Sequence, residues 1–115
     1  PTARRIVLML DSGLPGGANC KDEAERDGLE RAISLCASLA LDFLERGFDV
    51  RLVARDRDYG WYAGTHQSAG ILRALALLSA VEDSLPWETP GNTPPILVQR
   101  KGARRKIAAA RVVEA

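Results

Sequence analysis

The feature that most constrains the fold is an unbroken apolar run near the amino terminus, residues 6–10, with charged residues on both sides. A strand with one solvent-exposed face alternates apolar and polar residues. A run without polar interruption is typical of a strand that is covered on both faces. Strands of that kind occur in parallel sheets flanked by helices. The run therefore predicts a central strand of an α/β sheet that ends at Asp11.

A long helix is expected after a loop. Glycines and a proline make residues 12–19 a loop, because these residue types favour turn geometries. Asp22, with Glu25 three positions later, predicts the N-cap, and Gly47 predicts a left-handed C-cap. The apolar residues between these signals cover almost the whole circumference. We therefore expect this helix to be largely buried.

The remaining segments continue the alternation of strands and helices. A second helix, capped by Ser68, is expected to end near Asp83. In chain order, the other segments predict a strand near a sheet edge, a charged turn, a short strand, a further strand, and a basic helix with a last strand: residues 50–54, 55–60, 61–63, 96–99 and 103–115. This order predicts an α/β fold with a mostly parallel sheet, flanking helices and functional sites at the carboxyl ends of the strands.

Composition excludes several classes of function. A length of 115 residues predicts a single domain over 1–115, and a net charge of +1 argues against binding nucleic acid or membrane by charge alone. One histidine excludes zinc sites that need a His pair. Cys20 and Cys36 lack the spacing of a redox motif, so we expect two reduced thiols and a cytoplasmic location. Because the chain does not begin with Met, we expect a fragment of a larger protein.

The glycine-rich loop raises an alternative function, a small-ligand or phosphate-binding enzyme domain that uses residues 13–21. A phosphate loop needs a glycine before its lysine and a hydroxyl after it. Here Cys20 precedes Lys21 and Asp22 follows it, so nucleotide binding is not expected. Nothing in the sequence brings Cys20 together with His66 as a catalytic pair, and no catalytic residue is predicted.

Two sets of segments resemble known families. The strand ending in Asp11, the pair 64–65 before a leucine-rich helix, and the segment 96–102 are similar to the three metal-site loops of the von Willebrand factor A-type domain. Over residues 4–82, the segments 29–33, 37–40 and 46–53 resemble the carboxyl-terminal region of the bacterial family called domain of unknown function 58. This resemblance implies a membrane tether upstream and a protein partner, an AAA-type ATPase of the MoxR kind.

The resemblance also implies a metal-ion-dependent adhesion site that is degenerate here. Such a site takes hard oxygen ligands from the pattern Asp-x-Ser-x-Ser, but Gly13 and Pro15 stand at the two serine positions. Thr65 stands at the threonine position, and Lys101 replaces the second carboxylate. We therefore expect no metal or other cofactor, and the hypothesis is that Lys101 or Arg100 pairs with Asp11 in place of the metal.

These observations favour a non-enzymatic protein-interaction or assembly module. Its expected contact surface is the loop rim formed by residues 12–17, 55–62 and 65–66. The candidate interaction residues are Asp11, Ser12, Trp61, Tyr62, Thr65 and Lys101, with the two aromatic residues as anchors or, equally, as hairpin packing. A further alternative is a self-associating scaffold, since two strongly apolar helices and a short sheet leave surface for a second copy in a homodimer.

Overall fold

The computed structural model describes residues 4–82, 87, 95–100 and 111–114, which contain two α-helices and seven strands. The strands are β1 (Arg4–Leu10), β2 (Gly13–Leu14), β3 (Phe48–Ala54), β4 (Asp58–Ala63), β5 (Val81–Glu82), β6 (Pro95–Gln99) and β7 (Arg111–Glu114). The helices are α1 (Glu23–Glu45) and α2 (Ser68–Leu77). In these ranges, no helix combines the length and apolar character needed to cross a bilayer.

Five strands form the main sheet in the order β4-β3-β1-β6-β7. β1 runs parallel to β3 and β6, and β6 runs parallel to β7, whereas β4 is antiparallel to β3. Counted in chain order over its own members, the sheet reads 3-2-1-4-5, as in doubly wound α/β folds. The predicted α/β class with a mostly parallel sheet and flanking helices is confirmed.

The apolar run of β1 is buried on both faces, as its composition predicts. Leu8 and Leu10 belong to the main core, which contains residues of both helices. Val7 and Met9 lie in a second buried cluster, against which Trp87 packs. Because successive residues of a strand point to opposite faces, these two clusters lie on the two sides of the sheet.

The ends of α1 follow the predicted signals. Asp22 Oδ1 accepts a hydrogen bond from the Glu25 backbone N at 3.3 Å, and Gly47 has a φ of +87° immediately after the helix. A side chain at that φ would be strained, which explains why glycine stands there. The helix packs on the sheet through small side chains, which permit a close approach: Ala32, Cys36 and Ala40, each 0% exposed.

The second helix ends earlier than predicted, at Leu77 instead of near Asp83. Leu78 has an extended backbone, and the chain then enters β5, which pairs in parallel with β2 inside the expected glycine-rich loop. Ser68 is the first residue of the helix, and no side chain caps this end. β7 confirms the last strand, while Asp83 and the basic segment 101–110 lie outside the described residues.

β4 begins three residues before the predicted short strand and reverses the direction of the chain. It pairs with β3 from Asp58, opposite Val53, to Ala63, opposite Asp49. We call the edge where β1, β3 and β6 end the carboxyl edge, and the edge where they begin the amino edge. Since β4 is antiparallel, it starts near the carboxyl edge and ends at the amino edge.

Candidate functional site

The carboxyl edge brings together the ends of three neighbouring strands. Asp11 follows β1, Arg55 follows β3, and Gln99 ends β6. The last register pairs join Leu10 to Ala54 and to Val98, so one residue further Asp11 lies between Arg55 and Gln99. This row is at the topological switch point of the sheet, where doubly wound folds place their sites.

Asp11 and Arg55 form a buried ion pair at the centre of this row. Asp11 Oδ1 accepts hydrogen bonds from Arg55 Nη1 at 3.3 Å and from the Gly13 backbone N at 3.0 Å. The two side chains are 2% and 1% exposed, respectively. Ser12 Oγ accepts from the Arg55 backbone N at 3.1 Å. The loop after β1 is therefore fixed to the end of β3 by both charge and hydrogen bonding.

An aromatic ring packs on the cation of this pair. The Arg55 guanidinium carbon lies 5.7 Å from the centroid of the Trp87 ring, within the range of a cation–π contact. On the other side of Asp11, Gln99 is 4% exposed, and its Oε1 has no hydrogen-bond partner among the residues that the structure describes. The row is thus a set of buried polar side chains, with Trp87 packed on its arginine.

Arg100 links the end of β6 to the first turns of α1. Its Nη1 lies 2.6 Å from Glu25 Oε2, and its Nε donates to the Gly13 carbonyl at 3.5 Å. The hypothesis named Arg100 or Lys101 as the partner of Asp11, and the structure shows Arg55 on Asp11 and Arg100 on Glu25. Lys101 lies outside the described residues.

The donor set around Asp11 does not fit a magnesium site. Gly13 and Pro15 carry no hydroxyl, and the Ser12 hydroxyl already accepts a backbone N–H. The carboxylate that would coordinate the metal is that of Asp11, and the Arg55 guanidinium already donates a hydrogen bond to one of its oxygens. In the part of the chain that the structure describes, no group of three or more His, Cys, Asp or Glu side chains is placed to hold a metal ion.

The glycine-rich loop does not form a phosphate cradle. Gly16 and Gly17 both have positive φ, and the Gly16 N–H donates to Glu82 Oε2 at 2.9 Å. A Cβ on Gly17 would lie 3.2 Å from the Glu82 backbone N, so the loop needs glycine to approach β5. The carboxylates of Asp11 and Glu82 accept hydrogen bonds from the Gly13 and Gly16 backbone N–H groups. A phosphate loop would present such N–H groups to its ligand.

The two predicted aromatic anchors point in opposite directions, because they are consecutive residues of β4. Trp61 is 43% exposed, with the Arg5 guanidinium 5.4 Å from its ring centroid. Tyr62 packs against the main core, where a Cβ on Gly70 would be only 3.4 Å from its ring. Of these two aromatic residues, Trp61 is the one that offers a large apolar surface to solvent.

Thr65 does not join Asp11. It begins a 3-10 turn, Thr65–Gln67, immediately after β4, and is therefore at the amino edge. His66 lies in the same turn, whereas Cys20 follows the loop at the carboxyl edge and is 6% exposed. The structure thus separates Thr65 from the degenerate metal site, and Cys20 from His66, by the length of the sheet.

Neither thiol is arranged for nucleophilic chemistry. Cys20 and Cys36 are free and buried. Burial raises the pKa of the Cys36 thiol to about 12, so it stays protonated and unreactive at neutral pH. The Cys20 Sγ donates to the Asp22 carbonyl at 3.8 Å, which places it in the turn before α1.

The sequence places Arg55 in the expected loop rim, but its pairing with Asp11 was not predicted. The signal that would find it is the two-residue period of strands: Asp11 comes two residues after Met9, and Arg55 two residues after Val53. Met9 and Val53 are register partners in one buried cluster, so the next residues on that face meet as well. The register, which the sequence does not show, is what turns this pattern into a pair.

No protein-family model matches the chain, and searches of curated proteins and of solved structures returned no significant match.

Proposed function

We propose that this chain is a non-enzymatic protein-interaction or assembly module, similar to a von Willebrand factor A-type domain, in which an internal ion pair replaces the metal. The observation that carries the proposal is Arg55 on Asp11, at the switch point and almost fully buried. A metal-dependent module would need that carboxylate free and hydroxyls beside it. The module would therefore bind its partner without a bridging cation.

The contact surface in this proposal differs from the expected rim. Asp11 and Ser12 are 1% and 0% exposed, so they offer no surface to a partner. Their hydrogen bonds hold the loop in place from inside the protein. Trp61 combines a large exposed ring with a neighbouring arginine, the composition typical of interaction hot spots. An AAA-type ATPase of the MoxR kind is the proposed partner, and Trp61 is its proposed anchor.

Self-association is a weaker candidate. β4 is an outer strand of the main sheet, but its pairing with β3 shifts register between Leu52 and Val53 of β3. The first residue of β4, Asp58, is charged and exposed. Bulges and charges on an outer strand hinder pairing with a second copy. At β4, the geometry therefore favours a different protein as the partner over a homodimer that extends the sheet.

Metal independence is tested by thermal unfolding of the full chain in EDTA and in excess Mg²⁺. We expect the same Tm in both conditions, because a ligand that does not bind the native state cannot stabilise it. Asp11→Asn serves as the comparison. A Tm increase with Mg²⁺ that disappears in Asp11→Asn would refute the replacement of the metal by Arg55.

The contact surface is tested by binding of purified MoxR-type ATPase to immobilised chain. Trp61→Ala should weaken binding about tenfold or more, the loss typical of an aromatic hot spot. Leu72→Ala is the matched control, since Leu72 is 38% exposed but lies on α2. Equal binding by wild type and Trp61→Ala would exclude Trp61 as the anchor, and no binding by wild type would exclude this ATPase class as the partner.

A further inference from the structure

A cavity of about 330 Å³ lies beside the glycine-rich loop, away from the Asp11–Arg55 pair. Three parts of the chain line it: the loop at Gly17, the first half of α1, and residues 78–80, which follow α2. Its volume is at the lower end of the range of about 300–1,000 Å³ that is typical of small-molecule sites. A ligand of the size of an amino acid fits this space better than a nucleotide does.

The cavity has an apolar floor. Leu14 and Leu29 are 3% and 5% exposed and belong to one small buried cluster, against which Ile33 packs. Leu78 and two alanines, Ala18 and Ala80, are the other apolar residues of the lining. A branched aliphatic side chain placed here would be removed from water, which is a favourable transfer of apolar surface.

Two opposite charges lie on the α1 side of the cavity. Arg26 and Glu30 are both exposed and one helical turn apart, so their side chains leave the same face of the helix. Among the described residues, neither is in an ion pair. The order of the two, with the cation closer to the amino terminus, is also the weaker one for pairing within a helix.

Arg26 is the fourth residue of α1 and follows Glu23 and Glu25 of the first turn. An anionic group bound to Arg26 would also interact favourably with the helix dipole. A phosphate would also meet Glu30, which lines the same cavity. The lining therefore suits a ligand that carries one negative and one positive charge together.

The walls of the cavity are held in place without a ligand. The Gly16 N–H is bound by Glu82, and the Ser79 N–H donates to Asp56 Oδ2 at 3.3 Å. The Cys20 N–H donates to the Gly17 carbonyl at 3.1 Å. A preformed site loses less conformational entropy on binding, and this favours binding of a small ligand.

We infer that this cavity binds a free aliphatic α-amino acid, with its carboxylate on Arg26, its ammonium on Glu30 and its side chain against Leu29 and Ile33. This inference goes beyond the proposed interaction function and does not depend on it. The occupancy of the cavity and the affinity for a partner protein are separate measurements.

The test is a titration of the isotope-labelled full chain with L-leucine, followed by NMR of the Leu29, Ile33 and Leu78 methyl groups. We expect saturable shifts confined to these groups. 4-Methylpentanoate, which lacks the ammonium, and L-leucinamide, which lacks the carboxylate, should each bind at least about fivefold more weakly, the effect of one lost partly exposed charge contact.

Arg26→Gln and Glu30→Gln should each weaken leucine binding by a similar factor, whereas the matched control Arg31→Gln, an exposed residue of α1 outside the lining, should not. All three substitutions are on the surface, so folding is retained and is checked by circular dichroism. The inference is overturned if leucine causes no saturable shift, or if Arg31→Gln weakens binding equally. It is also overturned if either single-charge analogue binds as tightly as leucine, or if inorganic phosphate binds and leucine does not.

Discussion

At the scale of single residues, the place of a charged side chain in the sheet determines its partner, and its presence in the sequence does not. Asp11 and Arg55 are far apart in the sequence, yet the parallel register of β1 and β3 places them side by side with almost no exposure. A buried ion pair is not by itself strong evidence of stabilisation, because both charges lose their hydration. The loss of one partner, however, removes the direct charge contact of the other, which stays buried.

Arg55→Met is therefore expected to lower the free energy of unfolding by about 3–5 kcal/mol, the cost of breaking a buried pair from one side. The double variant Asp11→Leu/Arg55→Met should recover a large part of this loss, because both charges of the pair are then removed. Urea unfolding measures both values. Asp42→Asn, which breaks an exposed pair with Arg46, is the control and should cost less than about 1 kcal/mol. If the double variant is as unstable as the sum of its single variants, the two residues do not act as a pair.

At the scale of elements, the sequence predicts what depends on local signals. The apolar run of β1 and the caps at Asp22 and Gly47 act over a few residues, and the structure confirms all three. β2 and β5 have two residues each, too few to show a period. The direction of β4 depends on pairing with β3, so the location of Thr65 at the amino edge was not predictable from its motif.

The pairing of β3 with β4 also brings a testable pH dependence. Arg51 Nε donates to Asp58 Oδ2 at 3.0 Å, and this hydrogen bond lowers the pKa of the Asp58 carboxyl. Because the pKa is lower in the folded state than in the unfolded chain, the pair stabilises the fold fully above the ordinary carboxyl value of about 4, and this contribution is lost as the pH falls through the folded pKa.

The expected size of this effect is below about 1 kcal/mol, since the Asp58 side chain is 38% exposed and water screens the pair. Urea unfolding between pH 5 and pH 2 should show that wild type loses more stability on acidification than Asp58→Asn does. Asp27→Asn replaces an exposed carboxylate outside the sheet and is the control. Identical pH profiles for wild type and Asp58→Asn would contradict a role of the pair in stability.

At the scale of the whole molecule, stability should decrease from the centre of the sheet to the outer strand β4. β1 has hydrogen-bonded neighbours on both sides and residues that are 0% exposed, whereas β4 has β3 as its sheet neighbour and several exposed residues. Regions with more buried contacts open only through global unfolding, and regions with fewer open locally.

Amide hydrogen exchange measures this difference directly. The amides of Leu8 and Leu10 in β1 should exchange at least about tenfold more slowly than the slowest amides of β4, because local opening of an outer strand requires less free energy than global unfolding. Measurements at two protein concentrations provide the control. If β4 becomes as protected as β1 at the higher concentration, a second copy covers it, and the preference for a different protein as the partner over a homodimer is wrong.

The reversal of the chain in β4 has a further consequence for how the molecule tolerates change. Its six residues span roughly 20 Å, at about 3.4 Å per residue in an antiparallel strand. This separation is larger than the distance of about 7–10 Å beyond which substitutions usually act additively. Insertions or substitutions in the turn at Thr65 should therefore leave the energetics of the Asp11–Arg55 pair unchanged, so the two ends of the sheet can vary independently.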